Sequence, residues 1–259
     1  MNDINTEKYY LGTSGLLLPV PNKSFYPTEF QDKSRLFYYS SLMNSIEINS
    51  SFYKIPQPST VSKWREEVGE DFKFSFKLFK GITHQKKLAF DPAEISQFFN
   101  VINCVEDKKG CLLVQLPPSI RLGDFSQLRS LMENLHSYNI GNKWKIAVEF
   151  RHPSLYVEEI SELLTEFSFA SVIHDKSFSA SPMDFNDVSF LYLRFHGPGG
   201  NYKGSYDEAF LSEYASYVKD WMMEGKEVFI YFNNTMGNAH GNISTLQTTI
   251  KELSNIGEY

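Results

Sequence analysis

The sequence predicts a single (β/α)8 barrel of the TIM type, and three observations lead to that prediction. The chain has 259 residues, a length that suits one large α/β barrel. Apolar runs of strand length alternate with amphipathic stretches of helical length, which indicates parallel strands joined by crossover helices. Eight strand candidates follow one another, the number that closes such a barrel. We therefore predict one barrel domain over residues 1–259, with residues 1–8 as a flexible tail.

The strand candidates are short apolar runs, many of them rich in aromatic and β-branched residues. They are Tyr9–Ser14, Ser45–Ser51, Phe72–Phe79, Gly110–Leu116, Lys145–Arg151, Ala170–His174, Phe190–His196 and Val228–Asn233. A doubly wound open sheet is the competing architecture. It would carry a glycine-rich fingerprint after its first strand, and Gly12-Thr13-Ser14-Gly15 is only a fragment of one.

Helix signals lie between several of these strands. Asp91-Pro92-Ala93-Glu94 has a capping Asp, a Pro at the first helical position and a Glu three residues after the cap. Ser205-Tyr206-Asp207-Glu208 reads as a second capping box, and the segments Asp124–Tyr138 and Ser154–Phe167 have helical periodicity. Lys176–Val188 is rich in Ser and Asp and contains Pro182, so we expect an irregular unit between strands six and seven.

Composition and charge exclude several classes of function. The net charge of −6 gives no general attraction to nucleic acid or to an anionic membrane. No apolar run approaches the roughly 18 residues of a bilayer span, and residues 1–8 lack the apolar stretch of a signal peptide. Two cysteines fit neither a disulfide framework nor the usual zinc spacings. We expect a cytoplasmic protein whose partner is a small molecule; the oligomeric state stays open.

Polar residues concentrate at the late ends of the strands, where barrels of this type carry their active sites. Because side chains alternate along a strand, residues two apart share a face, as do Glu149 and Arg151 or Arg194 and His196. The strand-end residues are Glu47, Asn49, Ser51, Lys77, Gln115, Glu149, Arg151, His174, Asp175, Arg194, His196, Asn233 and Asn234, with Tyr53 and His84 in the loops that follow. They form either a ligand pocket or a structural layer of ion pairs.

Two loops rich in small residues follow strands seven and eight. The segment from His196 to Gly204 contains Gly197, Gly199 and Gly200, and the segment from Asn233 to Asn242 is also small and polar. Barrels often bind phosphate with these loops through backbone N–H groups. With Arg194 and Lys203 the loops could hold an anion; an ordinary flexible loop is the alternative.

These segments, taken in order, resemble the YecE-like family of barrel proteins without an established activity. The matching segments include Ile46-Glu47-Ile48-Asn49, Gln115-Leu116-Pro117-Pro118, Val148-Glu149-Phe150-Arg151-His152, Arg194-Phe195-His196-Gly197 and Tyr231-Phe232-Asn233-Asn234. The resemblance covers about Tyr10 to Ile243 and implies a barrel, but it brings no catalytic roles. One departure is Leu16, where the family pattern usually has an aromatic residue after Gly-Thr-Ser-Gly.

The leading hypothesis is an enzyme acting on a small polar, anionic or phosphorylated metabolite. Glu47 or Glu149 would be the general base and His84 or His196 the proton shuttle. Lys77, Arg151 and Arg194 would neutralise charge. The other ligand-binding candidates are Asn49, Tyr53, Gln115, Asp175, Gly197, Asn233 and Asn234.

Three alternatives stay open. A metal-dependent phosphodiesterase would need a metal, which the interleaved Arg and Lys residues would repel, so no metal ligand is assigned. A glycosidase would use Glu47 and Glu149 as its carboxylate pair. A protein that binds a ligand without turning it over is the third. The sequence contains no motif for an organic cofactor.

Overall fold

The computed structural model describes residues 9–255, and within them eight parallel strands form a barrel surrounded by helices. The strands are β1 Tyr9–Thr13, β2 Ser45–Ile48, β3 Lys73–Lys77, β4 Lys109–Gln115, β5 Lys145–Glu149, β6 Ala170–His174, β7 Phe190–Phe195 and β8 Glu227–Phe232. Each of the eight predicted strands is therefore confirmed, with ends that differ by up to three residues. The predicted tail, residues 1–8, lies outside the described residues.

The helices fill the crossovers, with one exception. They are α1 Arg35–Leu42, α2 Ser50–Tyr53, α3 Pro58–Glu66, α4 Lys80–Thr83, α5 Pro92–Ile102, α6 Phe125–Tyr138, α7 Glu158–Glu166, α8 Glu208–Met223 and α9 Ala239–Asn255. Short 3-10 turns occur at Lys23–Phe25, Thr28–Phe30, Lys86–Leu88, Asn103–Val105, Leu122–Asp124, Ile140–Asn142 and Pro153–Leu155. The irregular unit expected between strands six and seven is confirmed, because the chain from 175 to 189 contains no helix or strand.

Two predicted helix starts had different outcomes. At α5 the side chain of Asp91 accepts a hydrogen bond from the backbone N–H of Ala93, as the sequence predicted. At α8 the predicted capping box at Ser205 is wrong, because Asp207 caps the helix and accepts from the N–H of Phe210 at 2.8 Å. An Asp two residues later offers the stronger acceptor for the first turn, whose amides carry partial positive charge.

The interior of the barrel becomes more polar toward the C-terminal ends of its strands. The layers nearer the N-terminal ends are apolar or weakly polar, because alternate residues such as Leu113, Ala147 and Val172 point inward and pack around Tyr192 and Tyr231. The next inward positions along the same strands hold Gln115, Glu149, His174 and Arg194. Parallel strands run in the same direction, so these polar residues reach the same end of the barrel.

The barrel closes between β1 and β2 through a short backbone contact supplemented by side chains. Ser14 and Glu47 form an isolated parallel bridge, and the N–H of Gly15 donates to the carbonyl of Glu47 at 2.8 Å. Below it, the amide side chain of Asn44 accepts from the N–H of Leu11 and donates to the carbonyl of Tyr9. The Tyr39 hydroxyl accepts from the N–H of Thr13 and donates to the carbonyl of Ser45. Side chains thus satisfy backbone groups that the strands do not pair.

Within residues 9–255, none of the helices has both the length and the apolar composition that crossing a bilayer demands.

The β1–β2 seam gives the first prediction. A Cβ atom added at Gly12 would lie 2.0 Å from the carbonyl oxygen of Ser45 and 2.8 Å from the Tyr39 hydroxyl. We expect Gly12→Ala to lower the free energy of unfolding by about 1–3 kcal/mol, the usual cost of overpacking, measured by urea unfolding. Gly69→Ala is the matched control, since no atom lies within 4 Å of its added Cβ. Equal stability of the two variants would contradict this account of the seam.

Candidate functional site

The central feature of the polar end is one guanidinium held between two buried carboxylates. Arg194 on β7 donates from Nε and NH2 to the two oxygens of Glu47 on β2, at 2.9 and 2.8 Å. Its NH1 donates to Oε2 of Glu149 on β5 at 2.5 Å. The side chains of Glu47 and Glu149 are fully buried and that of Arg194 is 1% exposed. One side chain therefore joins three strands across the barrel.

Both carboxylates are ionised in this arrangement. Burial would raise the pKa of Glu47, but the charge of Arg194 and hydrogen bonds from Arg194, Ser14 and Tyr192 hold that pKa below its usual value. Ser14 Oγ and the Tyr192 hydroxyl each donate to Glu47 at 2.6 Å. Burial would likewise raise the pKa of Glu149, and the charges of Arg194 and Arg151 hold it well below its usual value. Neither carboxylate is exposed to solvent.

His196 is held by a chain of polar residues behind it. Asp175 accepts from the His196 backbone N–H at 2.8 Å and lies 3.2 Å from its Nδ1, and the Tyr206 hydroxyl donates to the other oxygen of Asp175. With the ring proton on Nδ1, Nε2 accepts from the guanidinium groups of Arg151 and Arg194, at 3.2 and 3.3 Å. Burial lowers the pKa of His196 despite the bond to Asp175, which keeps the ring neutral at pH 7.

Closer to solvent, two cations meet at one neutral oxygen. Lys77 Nζ on β3 donates to Oε1 of Gln115 at 2.8 Å, and Arg151 NH2 donates to the same oxygen at 3.3 Å. Arg151 NH2 also forms an ion pair with Glu149. Lys77 has no carboxylate within ion-pair distance among the described residues. Burial, with the nearby charge of Arg194, lowers the pKa of Lys77 to about 8.

The aromatic ring of Phe52 lies beside Lys77 and packs against that of Tyr53. The centroid of the Phe52 ring lies 4.1 Å from Lys77 Nζ, and the ring is nearly perpendicular to those of Tyr53 and His84, whose centroids are 5.0 and 4.9 Å away. Tyr53 is 68% exposed and His84 is exposed as well. Partial burial and the charge of Lys77 lower the pKa of His84 to about 4, so this imidazole is neutral at pH 7. We name Lys77, Gln115, Arg151, Phe52 and His84 the barrel mouth.

The expected alternation of Glu47, Asn49 and Ser51 on one strand face is wrong. β2 ends at Ile48, and Asn49 has helical backbone angles because α2 begins at Ser50. Ser51 is buried and its hydroxyl donates to the carbonyls of Ile48 and Lys77. Ser51 therefore joins β2 to β3 through these two bonds. Its predicted place on one strand face with Glu47 is wrong.

The two loops after β7 and β8 bind each other. Backbone N–H groups of Met236 and Asn238 donate to the carbonyls of Tyr202 and Gly204, and the Asn234 side chain donates to Gly204 and Asn242. The N–H of Gly197 donates to the Tyr206 hydroxyl. Asn234 is fully buried, whereas Asn233 is half-buried and its backbone N–H pairs with Phe195. Several backbone amides of these two loops are thus used within the protein, and phosphate binding by the loops stays a prediction.

Two tyrosines of the site were missed from the sequence. Tyr192 lies two residues before Arg194 on β7, so strand alternation would have placed it on the same inward face. Tyr206 follows the glycine-rich loop, and nothing local indicates that it reaches Asp175. His174 serves a structural purpose, with its Nε2 3.1 Å from both the Phe150 carbonyl and the Tyr156 hydroxyl.

Two cavities lie away from the barrel mouth. One of about 960 Å3 borders Lys109 and Tyr138, and one of about 410 Å3 borders Tyr9 and Phe72, both at the opposite end of the barrel. Between residues 9 and 255 no three His, Cys, Asp or Glu side chains come together in a group that could hold a metal ion.

Comparisons with known proteins agree with this fold. The profile of a family described as "Protein of unknown function DUF72" matches residues 10–256. YecE of Escherichia coli K12 is 28% identical over 121 residues, which cover 46% of this chain and 42% of YecE, so the match spans less than half of that relative. YunF of Bacillus subtilis is 24% identical, covering 88% of this chain and 89% of YunF. The crystal structure of a DUF72 family protein from Enterococcus faecalis has a TM-score of 0.76 at 21% identity, covering 94% of this chain and 95% of that one.

The central ion pairs predict a pH-dependent cost for Arg194→Met. Removing the guanidinium leaves Glu47 buried without a cationic partner among the described residues, whereas Glu149 keeps Arg151, so we expect the free energy of unfolding at pH 7 to fall by about 3–5 kcal/mol. Without Arg194 the burial of Glu47 raises the pKa of this carboxyl above the ordinary 4.5. Protonation then relieves the penalty, so the difference from wild type should shrink as the pH falls from 7 to 5.

Urea unfolding at several pH values measures this difference. Arg129→Met is the control, because the Arg129–Glu166 pair is exposed and costs at most about 1 kcal/mol. A cost for Arg194→Met that stays constant between pH 7 and 5 would contradict the assignment of a buried, ionised Glu47 that depends on Arg194. If that variant does not fold at pH 7, recovery of folding at pH 5 gives the same answer.

Proposed function

The chain belongs to the DUF72 family of proteins of unknown function, so its activity is inferred from its site. We propose that the barrel mouth binds and acts on a small anionic metabolite. Lys77 and Arg151 bind the anionic group, and Lys77 exchanges a proton with the ligand. The small anionic metabolite is the one expected from the sequence, but Lys77 takes the proton transfer that the sequence analysis gave to Glu47, Glu149, His84 and His196.

The observation that carries the proposal is the shared oxygen of Gln115. Two cations converge on this one neutral acceptor, although an anionic oxygen would give each of them a stronger hydrogen bond. The depressed pKa of Lys77 reports the same imbalance, because burial and neighbouring cations disfavour its charge. An anion bound here would relieve that repulsion, so the ligand and the protonated Lys77 stabilise each other.

Lys77 is also the group best suited to proton transfer. A pKa of about 8 lets a lysine lose and regain its proton near neutral pH, the range in which general acid–base catalysis is efficient. Glu47 and Glu149, the bases predicted from the sequence, are buried and paired with Arg194, so they fit better as the fixed charges that hold Arg194 and Arg151 in place. His84, neutral at pH 7, accepts a proton more readily than it donates one.

The arrangement argues against the glycosidase alternative, because Arg194 bridges both carboxylates of the would-be catalytic pair. A binding protein without turnover is the second candidate, and the burial of Glu47, Glu149 and His196 favours it. To separate the two candidates, each ligand that raises the thermal stability is incubated with the protein and its conversion is monitored by NMR. Turnover that is lost in Lys77→Met supports the enzyme. Binding without conversion supports the second candidate.

The pKa of Lys77 predicts how anion binding depends on pH. Lys77 is cationic below about pH 8 and loses its charge above it. Sulfate keeps its charge between pH 6 and 9, so the rise in Tm that sulfate causes should decline as the pH passes 8. At about a hundred times its Kd a ligand adds roughly 2.7 kcal/mol, which corresponds to several degrees in a chain of this size.

Two variants control that measurement. Lys77→Met should lose most of the sulfate response at pH 7, whereas Lys63→Met, an exposed lysine on α3, should keep it. The same response in all three proteins would refute binding at the mouth.

The substitution Gln115→Glu tests the same site independently, because it should remove the sulfate response without lowering the thermal stability of the free protein. The added carboxylate would pair with both Lys77 and Arg151, so we expect an unchanged or higher Tm without ligand and a lost response to sulfate. Gln97→Glu on the exposed face of α5 is the matched control and should respond as wild type does. A Gln115→Glu protein that still responds fully to sulfate would show that the anion binds elsewhere.

A further inference from the structure

Among the side-chain atoms that are buried without a hydrogen-bond partner in the described residues are Nε of Arg151, in the barrel mouth, and Oδ1 of Asn49, the residue that follows β2. Their hydrogen-bonding roles are opposite, because Arg Nε–H can only donate and the amide oxygen can only accept. Buried groups left in this condition cost free energy, so native proteins normally satisfy them. A ligand that satisfied both would need an acceptor at one point and a donor at another.

The contacts of Arg194 indicate which kind of group would satisfy Nε of Arg151. In Arg194, Nε and NH2 bind the two oxygens of one carboxylate, that of Glu47. In Arg151, NH2 contacts Glu149, Gln115 and His196, whereas Nε contacts none of them. The Nε–H edge of a guanidinium matches the oxygens of a carboxylate or phosphate. The anionic group of the ligand therefore belongs at this edge, next to Lys77.

Asn49 directly follows the last paired residue of β2. Ile48 pairs with Phe76, the residue before Lys77, and the hydroxyl of Ser51 donates to the Lys77 carbonyl, so the turn after β2 lies beside the end of β3. The Asn49 side chain makes no capping bond to α2. Its oxygen needs a donor, which is a hydroxyl or an amine. Because Lys77 and Arg151 repel an ammonium group, a hydroxyl is the better match.

One small molecule can meet both requirements. Asn49 follows β2 and Arg151 follows β5, with β3 and β4 between them. Three strand spacings correspond to about 14 Å along the barrel wall, and less across its mouth. Lys77 and Gln115 lie on the strands between the two atoms.

Building on the proposed function, we propose that the ligand is a hydroxylated anion, either a sugar phosphate or a sugar acid. Its oxyanion accepts from Arg151 Nε and from Lys77, and one of its hydroxyls donates to Oδ1 of Asn49. The hydroxyl contact then distinguishes this ligand from simple anions of equal charge.

The experiment compares ligands that differ only in their hydroxyl groups. Glucitol 6-phosphate is paired with hexyl phosphate, and gluconate with hexanoate, with Kd measured by calorimetry and checked by the shift in Tm. We expect the hydroxylated member of at least one pair to bind ten-fold tighter or more, equivalent to about 1.4 kcal/mol. The phosphate pair and the carboxylate pair distinguish the two sources of the anionic group.

Two variants assign the contacts. Asn49→Leu should abolish the preference for the hydroxylated member and leave the Kd of the plain anion unchanged, whereas Asn100→Leu, an exposed Asn on α5, should preserve the preference. Arg151→Lys keeps the charge but removes the Nε–H edge, so it should weaken both members of a pair about ten-fold.

The outcomes separate this inference from the proposed function. If hexyl phosphate and glucitol 6-phosphate bind equally through Lys77, the hydroxyl contact is refuted and anion binding at the mouth stands. If the preference survives in Asn49→Leu, Asn49 is the wrong acceptor. If none of the four compounds and no sulfate binds, both proposals fail.

Discussion

The polar end of this barrel depends on the pairing of Arg194 with Glu47 and Glu149. A charge moved from water into a protein interior carries a penalty of several kcal/mol, and only a well-placed partner offsets it. Here one guanidinium meets two carboxylates from strands on different sides of the barrel, and Ser14 and Tyr192 satisfy Glu47 further. Strands β1, β2, β5 and β7 must therefore hold their register, since a shift by one residue would turn a charge toward the helices.

The same pairing determines where positive charge remains available. Glu47 and Glu149 neutralise Arg194 and part of Arg151, and Asp175 is occupied by His196 and Tyr206. Lys77 is left with a neutral acceptor and an aromatic ring, at the exposed side of the network. Buried ion pairs therefore form a layer at this end of the barrel and hold Arg151 in place, whereas no carboxylate among residues 9–255 lies within ion-pair distance of Lys77. The ligand site that we propose lies on the solvent side of this layer.

Much of the fold could be predicted from the sequence because local patterns carry it. Apolar runs predicted the eight strands, and the Asp91-Pro92 signal predicted the start of α5. Errors arose where two local signals competed. Ser205 and Asp207 both resemble caps, and only the path of the loop after β7 decides between them. At the end of β2, alternation was extended past Ile48 into residues that turn into α2.

Periodicity and the common direction of parallel strands were enough to predict the barrel, the strand-end positions of the charged residues and their order along the chain. Which of these charges are buried and paired depends on packing in three dimensions. Glu149 and Lys77 occupy similar positions at the ends of their strands, yet one is enclosed by Arg194 and Arg151 and the other has a neutral acceptor and a pKa of about 8. Such differences arise from neighbours far apart along the chain, such as Arg194 and Glu47, which are 147 residues apart, and no local pattern encodes them.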